Sequence, residues 1–131
     1  MKLPVSLSVG SGSALGGLSR FYADTFLLSI ASDNVYTSLF LINVFGSFLI
    51  GFFLIRSQGA SDEGVKLNWY FWGVGFCGGF TTFASFVLLL VNGLMNASAM
   101  EAGIYATFSV LGGLLALVTG LIIGQKLLLK S

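Results

Sequence analysis

The side chains able to do chemistry in this chain are few and uncharged. One cysteine, Cys77, and no histidine remove thiol–imidazole catalysis, Ser-His-Asp triads and most transition-metal sites at once. An isolated Ser or Tyr without a base is not an active site, so no enzyme is expected. What remains is a set of neutral donors inside apolar runs. Asn43 lies in "LFLINVFGSFLIGFF", with Ser47 one turn on. Ser85 lies in "GVGFCGGFTTFASF". Tyr105 and Ser109 are four apart and share a helical face. An unsatisfied amide in hydrocarbon costs several kcal/mol, so Asn43 must face a partner helix or a wet path. Phe83 and Phe86 are three apart, share a face, and have electropositive ring edges. No basic residue lies near the middle of any apolar run, and no carboxylate does either, which removes the usual proton relay of a coupled pump. Uncharged donors suit a strongly hydrated small anion, which must trade its water for them and still be able to leave. Plain packing roles stay open beside this reading: an interhelical bond worth ~0.6 kcal/mol for Asn43, and core or lipid contact for the phenylalanines.

The elements that must position these groups are membrane helices. Apolar residues make up 56% of the 131 and charged residues only 8%, against roughly a quarter charged in a soluble domain. Mean hydropathy is +0.95. A net charge of +1 offers no footprint for nucleic acid. The fold class expected is an all-α membrane protein of one domain, with four transmembrane spans near the ~20 residues a bilayer requires. They run from about Leu3 to Ile30, Ser38 to Ile55, Trp69 to Met95, and from a Ser98–Glu101 capping box to about Leu129. "RSQGASDEGVKLN" is the only truly polar loop. Four spans put both termini on one side. Lys2, Arg56, Lys66, Lys126 and Lys130 fall there, and only Arg20 falls towards the other side with Asp24, Asp33 and Glu101. The positive-inside rule then places both termini in the cytoplasm.

Eighteen glycines far exceed the average of ~7%. In lipid, small residues draw helices together by allowing close backbone approach. Gly12 and Gly16, Ser47 and Gly51, and Gly75 and Gly79 have the required spacing, and Gly112, Ala116, Gly120 and Gly124 form a ladder on one face. The third span is different. Gly78 and Gly79 each weaken a helix by ~1 kcal/mol relative to alanine, and the hydroxyls of Thr81 and Thr82 compete for backbone carbonyls. The helix is expected to unwind near Gly78–Thr82, about halfway along the span. Unwound backbone at that depth must be buried in protein or line a cavity. Its freed carbonyls suit a small hard cation such as sodium. A kink whose threonines bond back to carbonyls one turn earlier explains the same residues.

"GFCGGFTTFASF", "NVFGSFLIG" and "GSALGGLSRF" together resemble the Fluc (CrcB) fluoride channel family. The resemblance covers most of the chain and implies more than the residues alone do. It implies an antiparallel, dual-topology dimer with two fluoride pores. It implies a structural sodium ion (Na+) at the dimer centre, on backbone carbonyls at positions matching Gly78 and Thr81. The anion pathway then maps onto Asn43, Phe83, Phe86 and Ser85 and, in span four, Tyr105 and Ser109, with Arg20 near an aqueous vestibule. The activity implied is passive fluoride efflux across the plasma membrane and hence fluoride resistance. Hydrogen fluoride enters neutral, ionises in the less acidic cytoplasm, and leaves as the anion without ATP or a coupled proton.

The chain departs from the family pattern where Leu39, Ala84, Val87 and Gly113 replace usual polar residues. The charge bias of five to one also raises the expectation of a fixed orientation, with an oppositely oriented paralogue as partner and one degraded pore. A dual-topology homodimer that tolerates the bias is the other reading. Two further classes compete. A small four-span coupled exporter would need a membrane-embedded glutamate in its first span, where this chain has none. A non-transporting assembly factor would use the glycine seams alone.

Overall fold

A computed structural model of the chain describes residues 3–30, 34–58, 62–96 and 98–129, and its regular elements are all helical. Lys2, Asp33 and Lys130, three of the charges bearing on orientation, lie outside the described residues. The first helix, α1, spans Leu3–Ile30. Helix α2, Val35–Ser57, starts three residues before the expected Ser38, because the Asn34 side chain accepts from the Thr37 N–H at 3.1 Å and caps it. Helix α3, Glu63–Trp69, occupies much of the sequence read as a polar loop. Asp62 accepts from the Gly64 N–H at 2.6 Å, and Glu63 sits in the first turn where the helix dipole favours an anion. A π-helical segment, Tyr70–Phe76, and the short α4, Cys77–Phe80, continue the same rod. Helix α5 spans Phe83–Asn96 and α6 spans Ala99–Leu128. Ser98 does cap α6, accepting from the Met100 N–H at 3.2 Å, one residue short of the capping-box position.

Among the described residues, three stretches are long and apolar enough to cross a membrane: Val35–Ser57, Glu63–Asn96 and Ala99–Leu128. The chain is a multi-pass membrane protein. Helix α1 has the length, but glycines, serines, Arg20 and Asp24 dilute its apolar run, and it is not among the three. Leu111, Leu114 and Leu115 of α6 are more than half exposed, a surface suited to lipid. Thr25, Thr107 and Thr119 silence their hydroxyls by donating to the carbonyl four residues earlier.

The glycines form two seams within the chain. In the first, α1 lies along the π segment and α4. A Cβ on Gly12 would fall on the Phe71 carbonyl oxygen, one on Gly16 on that of Phe76, and one on Gly79 on that of Ser13. In the second, α2 lies along α6. A Cβ on Gly51 would meet the Leu117 carbonyl, and one on Gly120 that of Phe48. The expected ladder in α6 is thus a contact with α2 in the same chain. Gly73 has a separate role. Its missing side chain leaves the space filled by the ring of Trp69, the last residue of α3, and the sequence pattern signals neither this nor the π segment.

Candidate functional site

The helical rod that begins at Glu63 is interrupted at Thr81 and Thr82, the two non-helical residues between α4 and α5. Gly78 and Gly79, the weak helix formers expected to unwind, stay helical in α4. The extended residue is Thr81, at φ −87° and ψ 163°. The reason lies in what surrounds the threonines. The Thr81 hydroxyl and N–H both reach the Cys77 carbonyl at 2.9 Å, ending α4. The Thr82 N–H, which a continuing helix would aim at Gly78, donates to Asn43 Oδ1 at 3.0 Å. Asn43 Nδ2 approaches the Thr82 carbonyl at 3.5 Å. Gly46, one turn along α2 from Asn43, makes room, since a Cβ there would strike the Thr81 methyl.

These bonds fix the direction of the Asn43 amide. A backbone N–H can only donate, so the atom facing Thr82 N must be the oxygen. The NH2 end remains with donor capacity beyond its one long bond. Ser47 uses its own hydroxyl on the Asn43 carbonyl at 2.8 Å and is not free. On the other side of the break, Thr82 Oγ1 accepts from the Ser85 N–H at 3.3 Å and so caps α5. The two hydroxyls pair at 3.3 Å, and Arg20 Nη2 donates to Ser85 Oγ at 3.3 Å. Arg20 therefore reaches the first turn of α5. Its neighbour Asp24 accepts from the Ser38 hydroxyl.

A groove of about 540 Å³ opens over the break, lined by Asn43, Gly78, Thr81, Phe83, Phe86 and Ser109 among others. Among the described residues, no charged side chain lines it. Phe83 is 77% exposed, and its ring centroid lies 6.0 Å from that of Phe86. Phe86 turns towards α6, 5.5 Å from the Tyr105 ring. The Tyr105 and Ser109 hydroxyl oxygens are buried; they meet each other one turn apart on α6, and neither has a hydrogen-bond partner on another helix among the described residues. Ser109 belongs to the groove, whereas Tyr105 lines a second one of about 400 Å³ with Tyr36, Phe40 and Glu101. So the structure gathers Asn43, Phe83, Phe86, Ser109, Gly78 and Thr81 around one groove, with Ser85, Arg20 and Tyr105 beside it. Leu39 is buried, Ala84 and Val87 are exposed, and none of the three lines the groove. At Gly113 a Cβ would stand 3.4 Å from Ser47 Oγ.

Sequence spacing reveals neither the part of Gly46 in this site nor the bond of Thr82 to Asn43. The adjacency of two threonines signalled a break, but the cross-helix role of Thr82 exists only once Asn43 is opposite it.

The family model described as CrcB-like protein, Camphor Resistance (CrcB), matches residues 7–121. The chain belongs to the CrcB-like family. That match contains every groove residue named above. A relative named fluoride-specific ion channel FluC, from Methylocella silvestris, is 40% identical over 111 residues, covering 83% of this chain and 84% of its own. Relatives of the same name from Azotobacter vinelandii and Pseudomonas fluorescens are 37% and 36% identical, each over 91% of this chain and 95% of theirs. The names these relatives carry are those of an ion channel and not of an enzyme.

Proposed function

We propose that this chain is a fluoride-selective channel through which fluoride leaves the cytoplasm passively, conferring fluoride resistance. The observation that carries the reading is Asn43. Its oxygen is committed to the Thr82 N–H, so its donor end serves a groove that no charged side chain lines among the described residues. The Ser109 and Tyr105 hydroxyls, which meet each other and no other helix among the described residues, leave a further donor beside it. A small anion replaces its water with such groups and is not trapped by a fixed charge. The names of the relatives supply the identity of the ion. Phe83, Phe86 and Ser85 complete the path in this reading. The test is fluoride release from liposomes holding only the purified chain, read by a fluoride electrode beside a chloride measurement. Fluoride release without chloride release supports the proposal. Equal release of both ions, or of neither, sinks it.

The same reading has four spans, with α1 as the first, in an antiparallel pair in the plasma membrane. Around Gly78 there is open space within the chain, and Phe83 stands exposed next to it, which suits cover by a second copy. The Gly78 and Thr81 carbonyls fit a structural sodium ion: the Thr82 N–H is diverted from Gly78, and the extended Thr81 takes its own carbonyl off the ladder. When bound, the ion supplies positive charge to those oxygens, while Asn43 and Thr82 hold the break. Among the described residues no cluster of three His, Cys, Asp or Glu offers another metal site.

A paralogue as the partner is favoured by one observation, the five-to-one charge bias, which also puts both termini in the cytoplasm. A C-terminal tag labelled from one side alone supports that partner and a fixed orientation. Equal labelling from both sides makes the pair a homodimer.

A further inference from the structure

The Thr82–Ser85 pair has a property that rests on the reading of the groove as an anion route. Each hydroxyl carries one proton and two lone pairs. Arg20 can only donate, so it occupies a lone pair of Ser85 Oγ at 3.3 Å. The Ser85 N–H can only donate, so it occupies a lone pair of Thr82 Oγ1 at 3.3 Å. The bond between the two hydroxyls uses one of their two protons. Whichever of them donates, one O–H is left over: that of Ser85, beside the groove, when Thr82 donates, and that of Thr82, which lines it, when Ser85 does. The pair is thereby set as a net donor at the break.

We propose that Arg20 is a positioning residue that fixes the Thr82–Ser85 hydroxyl pair as a donor towards the conducted anion. Its guanidinium polarises Ser85 and keeps it from turning its proton towards Arg20. Without Arg20 the freed lone pair lets Ser85 face the route as an acceptor, which repels an anion. A general field from the Arg20 charge would act differently, because it would not depend on the Ser85 hydroxyl. The neutral pair opposite, Asn43 and Thr82 N–H, is oriented on the same principle by a partner that can only donate.

The test is a double-mutant cycle on the full chain in liposomes, with fluoride flux as the readout. Arg20→Met is expected to lower flux about tenfold, the scale of one charge-assisted hydrogen bond. In a Ser85→Ala background the same change is expected to cost less than about twofold. Arg20→Lys, which keeps a donor and charge, is expected to recover most of the flux. An equal loss from Arg20→Met in both backgrounds overturns the proposal, as does no loss in either, and so does failure of Lys to recover more than Met. The same four proteins are compared by thermal unfolding in detergent with and without fluoride. If the unsubstituted chain carries no fluoride flux, the channel reading fails. The positioning role is then judged by that second measurement, where an absence of coupling between Arg20 and Ser85 overturns it.

Discussion

Asn43 and Tyr105 show how differently two buried polar side chains can be used. Asn43 is tied on one end to Thr82. Asn43→Leu orphans the Thr82 N–H, so it is expected to cost about 1–3 kcal/mol of stability and to abolish most fluoride flux. Thermal unfolding in detergent and liposome flux check the two effects. The Tyr105 hydroxyl meets only that of Ser109 on its own helix and has no partner on another helix among the described residues. Tyr105→Phe is therefore expected to leave the unfolding midpoint unchanged or raised. Its flux is expected to fall about fivefold, the scale of one neutral hydrogen bond. A variant that loses stability and flux together would place the Tyr105 hydroxyl in the fold and not on the ion route. Residue types were legible at this scale: Asn43, Tyr105 and Ser109 stand out because each is costly in an apolar run. Which of them is satisfied was not legible, because satisfaction depends on a partner from another helix.

At the scale of elements, close backbone approach does the work that burial of apolar surface does in water. Gly120→Val would drive a side chain into the Phe48 carbonyl and is expected to destabilise α2 against α6 by about 1–3 kcal/mol. Gly103 has nothing within 4 Å of its Cβ position. Gly103→Ala is expected to be neutral or to stabilise by up to about 1 kcal/mol through helix propensity. Unfolding midpoints of the two variants, measured side by side, should move in these different directions. The small-residue spacings could be read along the chain, but which helix each seam meets could not. Two glycines four apart mark a face and carry no information about its partner. The position of the break shows the same limit. Propensity pointed to Gly78 and Gly79, yet packing against Ser13 holds Gly79 in a helix, and the interruption moves to Thr81 and Thr82, where Asn43 supplies a bond.

For the whole molecule, the exposed Gly78 and Phe83 concern the proposed second copy. Gly78→Val meets open space within its own chain. It is expected to leave the single-chain fold intact while weakening the pair, seen as a shift to the monomer on cross-linking in detergent. An unchanged cross-linked fraction would remove Gly78 from the interface. Sodium withdrawal is expected to weaken the same pair, since the carbonyls released at the break would then lack their counter-charge.

The sequence by itself determined the solvent and the chemical character: too few charges for water to wet, helices of bilayer length, and donors without fixed charge. These follow from composition and from local spacing, which do not depend on the path of the chain. The tertiary structure alone decided that Asn43 turns its oxygen to Thr82, that Arg20 reaches Ser85, and that no other helix offers Tyr105 or Ser109 a partner among the described residues. Each is a hydrogen bond made or missed between helices tens of residues apart in the chain, and its direction is set only when both partners are in place.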